Sequence, residues 1–94
     1  METRMATLEW AANTLELARA VPWVDLSPQW AEKQKLPHDL LQRMNQPIAV
    51  VKIQTDSQRP NLKQIIVEVR WKLVNGAGEM PVVLSTYLAT RGTS

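Results

Sequence analysis

The run LKQIIVEVRWKLV, residues 62–74, decides the fold. Ile65, Val67, Val69, Trp71 and Leu73 fall on one side of an extended chain, and Gln64, Glu68, Arg70 and Lys72 fall on the other. That period of two is the pattern of a half-buried strand. The stretch before it, IAVVKIQT at 48–55, is rich in β-branched residues and alternates Ala49, Val51 and Ile53 with Val50, Lys52 and Gln54. The polar DSQRPN at 56–61, containing Pro60, turns the chain between the two. Beyond the central run, NGAGE at 75–79 supplies a glycine-bearing hairpin turn, and MPVVLSTYLAT at 80–90 reads as a third strand. It sets Val82, Leu84, Thr86 and Leu88 against Val83, Ser85, Tyr87 and Ala89. Short links and one-sided alternation predict a three-stranded antiparallel meander whose apolar face needs a cover.

The cover is upstream, where the period changes. TRMATLEWAANTLELARA, residues 3–20, reads as a long amphipathic helix. On a helical wheel Met5, Leu8, Ala11, Ala12, Leu15 and Ala18 share one broad arc, opposed by Glu2, Glu9, Asn13 and Glu16. A second, narrower stripe of Ala6, Trp10 and Leu17 lies beyond the polar arc. It covers a loop or meets another subunit, since large apolar groups off the core face mark interfaces. Val21-Pro22 ends the helix, because the residue before proline is pushed out of helical geometry. A start signal is harder to find: only Glu2 and Thr3 could cap it. Either Thr3 caps a helix that sits at the terminus, or a longer helix has been cut; the second is the expectation.

Residues 21–47 form a connector with four prolines, Pro22, Pro28, Pro37 and Pro47. Ser27 can cap a short helix with Pro28 in its first turn, and Pro37 can open a second over LPHDLLQRM. Trp23, Leu26, Trp30, Leu36, Leu40, Leu41 and Met44 give this segment the apolar mass to pack down instead of acting as a loose linker.

At 94 residues, 45% hydrophobic and 21% charged, the chain is one globular domain, residues 1–94, with a single modest core. No run approaches the ~20 apolar residues that span a bilayer. The net charge of +2 gives little pull toward nucleic acid. There is no cysteine, hence no disulfide framework and no thiolate nucleophile or ligand. With no Phe and four Trp, the indoles carry most of the aromatic packing. His38 is the only histidine, so no cluster has metal-ligand spacing, and the ring is expected exposed on a helical turn. Ser27, Ser57, Ser85 and Ser94 lack a nucleophile-elbow context, and no Ser-His-Asp set follows from spacing. Gly76 and Gly78 join strands and open no helix, so their G-x-G is a turn and not a dinucleotide loop. Arg70 and Lys72, with Lys52 and Lys63 nearby, could form a basic sheet surface, but Glu68 interrupts it and paired exposed aromatics are missing. It reads as a solvated face.

Two stretches carry a family resemblance. ATLEWAANTLELARAVPW (6–23) is similar to the small-residue helix of a minor pseudopilin of type II secretion, closest to the I-type subunit, or of the related V-type minor pilins of type IV pili. IIVEVRWKLVNGAGEMPVVLSTYLAT (65–90) resembles that family's paired C-terminal strands, with V-x-V-x-W, a glycine turn and a final Leu-Ser-Thr-x-Leu strand. The resemblance implies a precursor held in the bacterial inner membrane by an apolar helix preceding Met1, with its soluble part on the periplasmic face. It implies a non-enzymatic structural subunit that assembles with other minor pseudopilins or pilins at a fibre tip, needing no cofactor, nucleic acid or small-molecule substrate.

The expected architecture is therefore α+β and pilin-like, with helix 3–20, connector 21–47 and antiparallel sheet 48–94. The expected core is Met5, Leu8, Ala12, Leu15, Ile65, Val67, Val69, Trp71, Leu84 and Leu88, with Ala6, Trp10 and Leu17 facing neighbouring subunits. The rival in the binding class is a small soluble adaptor or oligomerisation module that uses an exposed strand edge. A nucleic-acid-binding α+β domain comes third, and would show steeply salt-dependent affinity.

Overall fold

A computed structural model describes residues 3–73 and 78–90 of the chain. It is α+β: a long helix, α1 (Thr3–Ala20), a proline-rich connector with two short helices, α2 (Pro28–Glu32) and α3 (His38–Arg43), and three strands, β1 (Asn45–Asp56), β2 (Arg59–Lys72) and β3 (Glu79–Ala89). The sheet order is β1-β2-β3 and both pairings are antiparallel. Fourteen residues of β2, at about 3.3 Å each, account for most of the 52 Å long axis.

Local chemistry explains the element ends. Ser27 accepts from the Trp30 amide through Oγ at 3.4 Å, with Pro28 at the first helical position of α2, where its missing N–H costs nothing. Between β1 and β2 the Asp56 carboxylate accepts from the Gln58 amide at 2.8 Å, closing a tight polar turn. Pairing is irregular at both ends of β1, between Asn45 and Ile48 and between Thr55 and Asp56, and Gln46 adopts a φ of 54° at the first of these. The glycine turn expected at 75–79 falls largely outside the described residues; Gly78, at φ 124°, takes a conformation that favours glycine. Any cap at Met1 or Glu2 is also outside them, and Thr3 is already helical.

The inner face of the sheet buries Ile65, Val67, Val69, Trp71 and Val82, with Val51, Ile53, Leu84 and Leu88 half-buried beside them. Two clusters result. Leu36, Leu40 and Met44 of the connector close over Trp71, Val67, Val69 and Ala11; Leu26 closes over Ala18 and Ile65 at the other end, with Trp30 packed alongside.

The helix presents a different stripe to the sheet from the one its wheel predicts. Thr7, Ala11, Thr14 and Ala18 are the buried residues of α1. Met5 is 56% exposed and Ala12 is exposed, so neither is core; Leu8 and Leu15 are half-buried on one flank. Relative to the predicted arc the helix is rolled by roughly 80° on a wheel of 100° per residue. The physical reason lies in the threonines. The Thr7 hydroxyl donates to the Thr3 carbonyl at 2.7 Å and that of Thr14 to the Trp10 carbonyl at 2.9 Å. Each polar group is satisfied within the helix, so its burial leaves no unmet donor. The small stripe lets α1 sit close to the sheet, with Leu8 and Leu15 closing one side and Ala6 and Trp10 the other.

Candidate protein interface

The described residues carry one histidine and no cysteine. No group of three or more His, Cys, Asp or Glu side chains among them is placed to hold a metal ion. His38 is exposed at the start of α3, its Nε2 3.0 Å from the Gln42 amide nitrogen. Ser57 and Ser85 are exposed and Ser27 is engaged as a helix cap.

The sheet separates the residues that the sequence grouped as a basic row. Arg70, Lys72 and Lys52 lie on the outer face, opposite the helices, and Arg70 pairs with Glu68 through both guanidinium contacts, Nε to Oε2 at 2.6 Å and Nη2 to the same oxygen. Lys63 is on the inner face. It donates from Nζ to the carbonyls of Trp23, at 2.6 Å, and Leu26, at 2.9 Å, and lies 4.4 Å from the centroid of the Trp23 ring. Burial draws its pKa below the ordinary lysine value. One side chain thus ties the single 3₁₀ turn of the connector, Trp23–Asp25, to the sheet. An alternating strand pattern shows that Lys63 falls on the apolar side; nothing local shows that two backbone carbonyls 37 and 40 residues away await it.

Beside this tie an open groove of about 680 Å³ runs between the end of α1, the 3₁₀ turn and the end of β3, lined by Arg19, Val21, Trp23, Leu26 and Leu88 among others. Arg19 stands 3.9 Å from Glu16, both largely exposed. Its described lining brings together no convergent set of acids, bases and nucleophiles.

On the flank of α1 away from Leu8 and Leu15 the stripe singled out in the sequence divides. Ala6 and Trp10 are half-buried and pack against the core, while Leu17 stays 56% exposed. The other large apolar side chains left exposed include Met5 on α1, Val24 in the 3₁₀ turn, and Ile48, Val83 and Tyr87 on the sheet. Register places the last three on the outer face, where Ile48 opposes Arg70, Val83 opposes Glu68 and Tyr87 opposes Gln64. Among the described residues no helix lies over this face. No helix among the described residues is long and apolar enough to cross a membrane.

These features define an α+β helix-on-meander domain with exposed apolar side chains on α1 and on the outer side of the sheet. No family model, curated protein or solved structure matches the chain.

Proposed function

We propose that the chain is the folded domain of a pseudopilin-like structural subunit, of a type II secretion pseudopilus or a type IV pilus-like fibre, that assembles with related subunits at a fibre tip. The observation that carries this reading is α1: an 18-residue helix laid along an antiparallel meander through a stripe of small residues, with Leu17 and Met5 left exposed on its outward side. A helix held this way keeps a free face along its length for helices of neighbouring subunits, and head-to-tail contacts of that kind build filaments when the rotation does not close. No residue does covalent chemistry in this reading. The full-length protein would be held at the periplasmic face of the bacterial inner membrane by an apolar segment preceding α1.

The test is an immunoblot of the source organism fractionated into membrane and soluble parts. A membrane-bound polypeptide longer than this chain by the ~20 residues of one spanning helix is the expected result. A soluble polypeptide of the same size would overturn the proposal.

A further inference from the structure

The two edges of the sheet are not equivalent. Along β1 the connector packs close by, with Ala31 and Leu36 lining a depression shared with Pro47 and Ala49. That strand also carries Lys52 and Asp56 and breaks register at both ends. Charge, proline, irregular pairing and a covering segment are the devices that keep an edge from pairing with another chain. β3 has a proline, Pro81, only near its start; from Val82 to Thr90 it holds no charged residue, and its pairing with β2 runs unbroken.

The direction of its free backbone groups follows from two hydrogen bonds. Leu73 donates to the Gly78 carbonyl at 2.9 Å and Thr90 donates to the Asn61 carbonyl at 2.9 Å. Even-numbered residues of β3 therefore face β2, and alternation in an antiparallel ladder turns the amides and carbonyls of Val83, Ser85, Tyr87 and Ala89 to the open edge. Pro81 shares that parity, so its missing N–H faces outward, the position an edge strand tolerates.

We infer that this edge pairs with β3 of a second copy of the same chain, antiparallel about a twofold axis at Ser85. Two features single out a second copy. Val83 and Tyr87, 54% and 64% exposed, are equidistant from Ser85, so each lies opposite the other on the partner: Val83 on the partner's Tyr87 and Tyr87 on the partner's Val83. Aromatic against β-branched is a favoured cross-strand pair. The pairs set by this axis join residues whose backbone groups already point outward, so the ladder forms without a bulge. Slipping the axis toward Pro81 sets the missing N–H opposite residues nearer the middle of the partner strand and shortens the ladder, which selects the register. A twofold normal to the sheet leaves both helical layers on one side of a continuous six-stranded sheet. This inference is independent of the fibre reading.

The experiment is sedimentation of the 94-residue chain over a concentration series up to about 1 mM, which detects dimers as weak as a millimolar Kd, beside Ser85→Lys and Ser85→Glu variants. Ser85 is exposed, so circular dichroism should show both variants folded as the wild type is. The expected result is a dimeric wild type, two variants that are monomeric alone because like charges meet across the axis, and dimers restored on mixing the two. A wild type that stays monomeric throughout overturns the inference, as does a dimer that either variant leaves intact.

Discussion

Lys63 Nζ stands 2.6 Å from the Trp23 carbonyl oxygen and 4.4 Å from the centroid of the same residue's indole ring. The ammonium meets both the backbone and the π-face of one residue, and a second carbonyl, that of Leu26, completes its coordination. The 3₁₀ turn buries none of its own residues, so this tie and the anchor of Leu26 hold it down. Lys63→Met keeps the aliphatic stem and removes the donors. It is expected to lower stability by about 1–2 kcal/mol, the range for charged hydrogen bonds in a partly exposed setting. Urea denaturation measures it, and tryptophan fluorescence should report a loosened Trp23 before global unfolding.

The same lysine gives a pH signature. Burial draws its pKa below 10.5, so on approaching that pH the folded chain binds fewer protons at this site than the unfolded chain does. Stability then rises with pH where the unfolded state binds more protons. The advantage of the wild type over Lys63→Met should widen as pH rises from neutrality toward 10.5. Urea midpoints at several pH values check this, and a shrinking gap would contradict it.

The roll of α1 is tested by two adjacent alanines. Ala11 is fully buried against the sheet and Ala12 is exposed. Ala11→Leu forces a larger side chain into a packed contact and should cost about 1–3 kcal/mol or more. Ala12→Leu should stay within about 0.5 kcal/mol. Equal effects would mean that the helix faces the sheet along the arc the wheel predicts.

That pair also marks where the sequence was legible. Alternation in β2 is strict because one face is buried and the other is not, so Ile65, Val67, Val69 and Trp71 could be placed on the core side from their spacing alone. The helix is harder. A wheel weights residues by polarity and counts Thr7 and Thr14 against the core, yet their hydroxyls bond to carbonyls of their own helix and carry no unmet polarity inward. The true stripe lies between two apolar arcs, and each arc taken alone points to a wrong face. The Lys63 tie and the unequal sheet edges depend on where the connector settles, which is a tertiary matter that no local pattern encodes.

Trp71 lies 7% exposed in the cluster that joins Val67 and Val69 to Leu36, Leu40 and Met44. Trp71→Ala removes the largest side chain of that cluster and should cost about 3–5 kcal/mol, a large part of the ~5–15 available to a small domain. A loss under about 1 kcal/mol by thermal or urea unfolding would mean that the buried face of the sheet is the other one.

Thr14→Val tests the reason given for burying threonine. The hydroxyl donates to the Trp10 carbonyl, the residue that already stands one helical turn back as backbone partner of position 14, so its removal leaves no acceptor wholly unpaired. The substitution is nearly equal in volume and adds a methyl to a contact 2% exposed. Where a buried polar group gives way to an apolar one of the same shape without stranding a partner, the change is close to neutral or stabilising. Thr14→Val should therefore shift stability by less than about 1 kcal/mol, whereas Thr14→Asp should cost several kcal/mol through a buried unpaired charge. A large loss with valine would show that the hydroxyl holds more than its own helix, and would point to a polar partner across the interface between α1 and the sheet.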